Sequence, residues 1–94
     1  MTPEGKLAAY LVRRCKERGV AQRKVSWEGR IGAPDRLLLG RDKSCFVELK
    51  APGAKPTPMQ KREHEVLERA GLRVLVCDSE AKIDWVITLI SLGA

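Results

Sequence analysis

Hydrophobic residues repeat along this chain with two different periods, and the two periods alternate. Three stretches place an apolar residue every three or four positions, which is the period of an amphipathic helix. Four shorter runs are rich in aliphatic residues and are bounded by glycine, proline or charged residues, as strands are. The pattern predicts the order helix, three strands, helix, strand, helix, in one domain that covers residues 1–94.

The first two predicted helices carry recognisable start signals. Thr2 is a suitable N-cap with Pro3 at the first helical position, and the helix ends at Gly19. A second Thr-Pro pair, at Thr57, opens the second helix, and Gln60 three residues later completes a capping box. The predicted inward stripes are Leu7, Ala8, Leu11, Val12 and Cys15 in the first helix, and Met59, Val66, Leu67 and Ala70 in the second.

The last predicted helix, capped by Ser79, has two apolar stripes instead of one. The inward stripe consists of Ile83, Val86, Ile87 and Ile90, and the second stripe of Trp85, Leu89 and Leu92. A helix of so small a domain seldom buries both faces, so the second stripe is a candidate interface between two copies of the chain. The alternative is a last helix that is sunk in the core.

The strands are predicted at residues 20–27, 35–39, 44–50 and 72–77. The second and third form a hairpin, and both of its faces carry apolar residues, which is typical of central strands. The fourth strand follows a helix, so a right-handed crossover should place it parallel to the third. The predicted fold class is therefore α/β, with a central mixed sheet flanked by helices.

The predicted hairpin brings two carboxylates together. If its turn is centred between Arg41 and Asp42, Asp35 lies opposite Glu48, and Lys50 projects from the same face as Glu48. Facing Cβ atoms are about 4.5 to 5.5 Å apart, and like charges placed so destabilise a sheet. A divalent cation between the carboxylates, with the ammonium of Lys50 beside them, would turn this repulsion into a site for a metal and a phosphate. The structural alternative is an ion pair at a strand end.

Three polar residues on the predicted helices have a structural interpretation beside a functional one. Glu4 extends the inward stripe of the first helix toward a metal site, or complements the helix dipole. Gln60 caps the second helix. His64 is the only histidine and stands beside no nucleophile or second ligand, so we interpret it as a polar residue of the helix surface rather than a catalytic base.

The composition of the chain limits which classes of partner it can bind and in which cellular compartment we expect it. The chain has 18 Lys and Arg residues against 12 Asp and Glu, a net charge of +6 that fits a polyanion such as nucleic acid or a membrane surface. No apolar run is long enough to span a bilayer, and we expect no signal peptide. The three cysteines, Cys15, Cys45 and Cys77, are far apart and lie in apolar patterns. We expect buried, reduced thiols in a cytoplasmic protein.

The element order and the polar residues together resemble the VRR-NUC family of the PD-(D/E)xK, or restriction-endonuclease-like, nucleases in its minimal stand-alone form. The matching features are Glu4 on the first helix, Gly32-x-Pro34-Asp35-Arg36, Glu48-Leu49-Lys50, Gln60 at the start of the second helix, and Ala70-Gly71 before the last strand. A Pro-Asp with a Glu-x-Lys would be a weak signal alone, whereas all five features in order are specific.

The resemblance implies a metal-dependent, structure-selective endodeoxyribonuclease of DNA replication, repair or recombination, acting on branched DNA such as four-way junctions or flaps. Asp35, Glu48 and the backbone carbonyl of Leu49 would hold a divalent metal, and Glu4 would contribute through water or to a second ion. The oxygen-only ligand set independently favours Mg2+ or Mn2+. Minimal members of the family form symmetric dimers, so the resemblance implies a homodimer here, and the second apolar stripe of the last helix is compatible with an interface at that helix.

Further residues take roles from the same resemblance. Lys50 would orient and activate the attacking water, and Gln60 would support the site from the second helix. The predicted DNA-binding residues are Arg30, Arg36, Lys55 and Lys61. An alternative from another class is a non-catalytic DNA-binding module with a nuclease-like fold, and a third is a small basic scaffold protein. The carboxylate pair argues against both, because an unused pair of this kind is costly to keep.

Overall fold

The computed structural model describes residues 1–91 of the 94-residue chain. Its elements are α1 (Pro3–Arg18), β1 (Ala21–Lys24), β2 (Arg36–Leu39), β3 (Ser44–Leu49), α2 (Pro58–Arg69), β4 (Val74–Cys77) and α3 (Glu80–Ser91). The strands form one sheet in the order β1-β2-β3-β4, with β3 and β4 parallel and the other neighbours antiparallel. The predicted α/β class and element order are confirmed.

Helices cover both faces of the sheet. On one face, buried residues of α1 and α3 pack against alternate residues of the hairpin, namely Leu38, Cys45, Val47 and Leu49. On the other face, Leu67 of α2 packs against Phe46 and Val74. Alternation along β3 therefore sends one set of side chains to each layer. This arrangement explains why both faces of the hairpin are apolar.

The hairpin has the predicted register. Gly40 N donates to Lys43 O at 2.8 Å, and Leu37 is the partner of Phe46. Asp42 takes the left-handed conformation that the turn needs, with φ 58°. Gly40 is required for packing, because a Cβ there would collide with the carbonyl oxygen of Ile90 in α3.

The first helix and the first strand differ from the prediction in detail. Thr2 caps α1 by accepting from Gly5 N at 3.0 Å, and Gly19 ends the helix with φ 69°. Val12 was predicted to face inward but is 40% exposed. It follows the fully buried Leu11 directly, and one helical step turns the side chain by about 100° away from the core. The first strand ends at Lys24, three residues earlier than predicted.

The buried face of α2 is polar, contrary to the predicted apolar stripe. Of that stripe only Leu67 is buried, whereas Met59 and Val66 are exposed. The other buried residues of the helix are Glu63 and His64. A charge is buried at tolerable cost only when it is paired, and each of these two residues has a partner outside the helix. The pattern of apolar residues alone could not indicate those partners.

The last helix has the predicted inward stripe, since Ile83, Val86, Ile87 and Ile90 are fully buried. Trp85 of the second stripe is about half exposed, so the stripe is not sunk in the core at this position. Leu92 lies outside the described residues. Within residues 1–91, no helix is long and apolar enough to cross a membrane.

The three cysteines are buried and form no disulfide with one another, as predicted. Burial raises the pKa of the Cys15 and Cys45 thiols to about 11 and that of Cys77 to about 12. The thiols are therefore protonated near neutral pH and have a structural role in the core.

Candidate active site

A cleft of about 270 Å3 opens where the start of α1 meets one edge of the sheet. The residues that line it are Thr2, Glu4, Gly5, Ala8, Lys24, Asp35, Arg36, Glu48 and Leu49. Because β2 begins and β3 ends at this edge, the antiparallel pair delivers Asp35 and Glu48 to the same opening. The cleft thus brings together all four residues predicted to hold a metal, from three separate segments of the chain.

A larger opening of about 570 Å3 lies at the other end of the hairpin. Its lining includes Leu37, Leu39, Phe46 and Leu72, and Asp42 is its only acidic residue. The larger opening is favoured by its volume, and the smaller cleft by the acidic side chains that line it. Three carboxylates in one cleft repel one another, which makes such a cluster unusual. We therefore take the smaller cleft as the candidate site.

The loop that carries Asp35 is held on both sides. Trp27 Nε1 donates to Pro34 O at 2.7 Å, and Val25 N donates to Asp35 O at 2.9 Å, which ties the loop to the end of β1. Gly32 has φ 90°, and a Cβ there would lie 3.1 Å from backbone atoms of Met59 in α2. Only glycine lets the loop approach the start of α2 so closely.

Asp35 and Glu48 are close enough to influence each other. The hairpin register, continued one pair beyond Arg36 and Val47, places Asp35 opposite Glu48. Burial raises the pKa of Glu48, and the charge of Asp35 raises it further. The hydrogen bond and charge of His64 and the charge of Lys50 act in the opposite direction but do not cancel the effect of burial. An ionised Glu48 is therefore short of positive charge, which a bound cation would supply.

Each of these two carboxylates has one basic partner. Glu48 Oε1 lies 3.3 Å from His64 Nε2, and Asp35 Oδ2 lies 3.6 Å from Lys24 Nζ. In the part of the chain that the structure describes, no three His, Cys, Asp or Glu side chains converge tightly enough to form a complete metal cluster. The donor chemistry nevertheless fits Mg2+ or Mn2+, because the cleft offers carboxylate oxygens and a strand end.

Lys50 lies next to this arrangement, and Gln60 stands in the first turn of α2, four residues before His64. Lys50 follows β3 directly, and its backbone N–H donates to Cys77 O at 2.9 Å, which fixes the residue beside β4. Its ammonium is near enough to Glu48 to lower the pKa of that carboxyl. Gln60 forms the predicted capping box, since Thr57 N donates to Gln60 Oε1 at 2.9 Å and Gln60 N donates to Thr57 Oγ1 at 3.2 Å. The cap uses its amide oxygen, so only the amide nitrogen is left for a role toward the site.

Of the four predicted DNA-binding residues, one lines the cleft. Arg36 lines the cleft and donates to Gln22 Oε1 at 2.9 Å. Arg30 lies on the α2 side, where its guanidinium binds both oxygens of Glu63, at 2.7 and 3.3 Å. Lys55 and Lys61 are exposed. Only Arg36 is therefore placed directly at the acids.

Two residues at the site were not predicted. His64 was interpreted as a surface residue, and this is wrong, because its side chain is 9% exposed and contacts Glu48. Its position three residues before the buried Leu67 places it on the inward face of α2, which is a signal that the sequence contains. Lys24 was assigned only to a strand. Its role as the partner of Asp35 depends on where β1 ends, which the sequence does not fix.

Comparisons with known proteins agree with this picture, although no family model matches the chain. "Putative nuclease p44" of Acyrthosiphon pisum secondary endosymbiont phage 1 is 54% identical over 63 residues, which are 66% of this chain and 67% of the phage protein. A solved structure described as "VRR_NUC domain" is 40% identical, with a TM-score of 0.83 over 94% of this chain and 97% of that one. A second, "VRR_NUC domain protein", has a TM-score of 0.74 over 99% and 91% of the two chains. It is 18% identical, so it supports the fold alone.

Proposed function

Because the chain belongs to the VRR-NUC family, we propose that it is a nuclease that hydrolyses phosphodiester bonds in DNA with the help of a divalent metal. The observation that carries the proposal is the meeting of Glu4, Asp35 and Glu48 in one cleft, with Lys50 beside Glu48. Pro34-Asp35 and Glu48-Leu49-Lys50 also match the two halves of a PD-(D/E)xK motif.

In this proposal the carboxylates of Asp35 and Glu48 and the backbone carbonyl of Leu49 hold Mg2+ or Mn2+, and Glu4 assists from α1. The chemistry that a divalent ion would supply there is polarisation of a phosphoryl oxygen and a lower pKa for an attacking water. Lys50 stabilises the negative charge that develops on the scissile phosphate, since an ammonium in a partly buried site acts strongly on nearby charge. Gln60 supports the site from the start of α2.

The proposed substrate is branched DNA, such as a four-way junction or a flap, in replication, repair or recombination. Arg36 would contact the phosphate nearest the acids, and Arg30, Lys55 and Lys61 would contact the duplex further away. The net charge of +6 supports a polyanionic substrate. The proposed form is a homodimer through α3, acting in the cytoplasm of a bacterial or phage-infected cell. The phage origin of the related protein supports that location.

A cleavage assay tests the proposal. We expect the chain with Mg2+ or Mn2+ to cut a labelled four-way junction or flap faster than a plain duplex, and to cut nothing in EDTA. Asp35→Ala and Lys50→Ala should each lower the rate by about 100-fold or more. Glu68→Ala, an exposed site on α2 away from the cleft and from α3, is the control and should cut normally. If both Asp35→Ala and Lys50→Ala still cut DNA as fast as wild type, the proposed nuclease activity of this site is refuted.

A non-catalytic DNA-binding module is the second candidate. It is favoured by the partners that the acids already have, Lys24 and His64, and by the lack of a complete three-residue metal cluster within residues 1–91. Such a module would bind junction DNA with a steep dependence on salt but without any response to Mn2+. Calorimetric titration with Mn2+ together with the cleavage assay therefore separates the two candidates, since only the nuclease should both bind Mn2+ and cut DNA.

A further inference from the structure

We infer that His64 is a positioning residue of the metal site, which acts by holding the carboxylate of Glu48 in place; this rests on the proposed function. Nε2 of His64 lies 3.3 Å from Oε1 of Glu48. The two side chains are 9% and 12% exposed. The lining of the cleft includes Glu48 but not His64, so His64 contacts the carboxylate from the side of α2.

The fold explains why these two side chains meet. Phe46 and Glu48 are two residues apart on β3 and share a face of the sheet. Leu67 packs in the cluster around Phe46, and His64 lies three residues earlier on the same face of α2. The helix α2 runs antiparallel to β3. Two strand residues span about 7 Å and three helical residues about 4.5 Å. When Leu67 packs on Phe46, His64 therefore lies over Glu48.

The hydrogen bond has a defined direction when Glu48 is ionised, as a metal ligand must be. A carboxylate can only accept, so Nε2 of His64 donates to Oε1. This bond occupies one oxygen and fixes the rotation of the carboxylate, which leaves Oε2 for the cleft. Without it, the glutamate side chain would have to be ordered each time a metal binds. Residues that orient metal ligands in this way commonly change affinity or activity 10–100-fold when they are lost.

Mn2+ binding to the full chain, measured by isothermal titration calorimetry, tests the inference without relying on cleavage. His64→Phe keeps a ring in place but removes the donor, and we expect about 10- to 100-fold weaker Mn2+ binding. His64→Gln retains a donor and should lose less. Ile87→Val is the control for loss of stability, since it truncates a fully buried side chain of α3 in the layer on the other face of the sheet. It should lower stability and leave the Mn2+ affinity unchanged.

The outcomes separate this inference from the proposed function. If His64→Phe binds Mn2+ as tightly as wild type, or if Ile87→Val loses as much affinity as His64→Phe, His64 only packs α2 and the inference is refuted, whether or not the wild type cuts DNA. A wild type that binds Mn2+ in a His64-dependent way but cuts no DNA refutes the nuclease and leaves the inference intact. A wild type that binds no Mn2+ overturns both. Should His64→Phe fail to fold, His64→Leu replaces it.

Discussion

Glu48 is held in an environment that disfavours its charge. Its pKa is raised, chiefly because the side chain is buried, and the neighbouring Asp35 adds to the effect. An acid whose pKa is higher in the folded state than in the unfolded state stabilises the fold fully only below the unfolded value, near 4.5. This stability is lost as the pH rises through the folded value. In the metal-free chain, the negative charge of Glu48 therefore lowers the stability of the fold at neutral pH.

Glu48→Gln should separate stability from function. We expect the metal-free variant to be more stable than wild type at pH 7, by about 0.5–2 kcal/mol, because the amide carries no charge to bury and can still meet His64. The gain should shrink as the pH falls toward 4.5. Urea unfolding at several pH values measures it. The same variant should lose DNA cleavage, and a variant that is less stable than wild type at pH 7 would show that the charge of Glu48 is well compensated.

Gly32 is the other single residue on which the site depends. Both Gly32 and Gly53 have positive φ, 90° and 82°, but a Cβ at Gly53 meets nothing within 4 Å, whereas one at Gly32 meets the backbone of Met59. Gly53→Ala should cost only backbone strain, about 1–3 kcal/mol. Gly32→Ala should cost more and should also slow cleavage, because it displaces the loop that carries Asp35. Thermal unfolding and junction cleavage of the pair would check this, and equal effects would contradict it.

At the scale of elements, two polar side chains attach α2 to the rest of the chain. Glu63 binds Arg30 of the loop before β2, and His64 binds Glu48 of β3. The Arg30 guanidinium lowers the pKa of Glu63. The pair therefore stabilises the fold at pH values above the pKa that Glu63 has in the unfolded chain, and this stabilisation is lost as the pH falls through the folded pKa. The helix is thus attached by an ion pair, Arg30–Glu63, and by the contact of His64 with Glu48, at positions where a purely apolar stripe would be expected.

The Arg30–Glu63 pair should respond asymmetrically to truncation. The side chain of Glu63 is 9% exposed and that of Arg30 is 59% exposed. Arg30→Ala leaves a buried carboxylate without a partner, whereas Glu63→Gln leaves an arginine that water can reach. We therefore expect Arg30→Ala to lower the urea midpoint at pH 7 more than Glu63→Gln does.

The pH dependence provides the control for this comparison. The difference between the two variants should diminish at acidic pH, where Glu63 takes up a proton and no buried charge remains in Arg30→Ala. If Glu63→Gln instead lowers the urea midpoint at pH 7 more than Arg30→Ala does, the buried amide at position 63 finds fewer hydrogen-bond partners than the carboxylate does.

The elements were predictable from the sequence to different degrees. The hairpin register followed from alternation and from the turn at Arg41 and Asp42, so the meeting of Asp35 and Glu48 was predictable. The inward face of α2 was not, because a buried Glu63 or His64 is tolerated only with a partner distant in the chain. The Arg30–Glu63 and His64–Glu48 contacts depend on how α2 packs on the sheet, which the sequence pattern does not specify. The sequence contains the residues of the site but not the contacts that hold them.

At the scale of the whole molecule, two of the apolar side chains that remain exposed lie on helices that cover opposite faces of the sheet. Trp85 on α3 is 52% exposed, and Val66 on α2 is 46% exposed. A homodimer through α3 would cover Trp85, whose ring also lies 4.9 Å from Lys82 Nζ. The buried stripe of α3 is complete without Trp85. The Trp85 side chain therefore adds nothing to the core and is free to serve an interface.

The dimer can be tested by changing one exposed residue at a time. If α3 forms the interface, light scattering should give twice the 10.5 kDa mass of the chain at micromolar concentration. Trp85→Glu should reduce it to one chain, since a charge buried in an apolar interface is costly. Val66→Glu is the matched control, because it places the same charge on the opposite layer. Dissociation by Val66→Glu alone would move the interface to α2, and a wild-type monomer would mean that each cleft acts singly on its DNA.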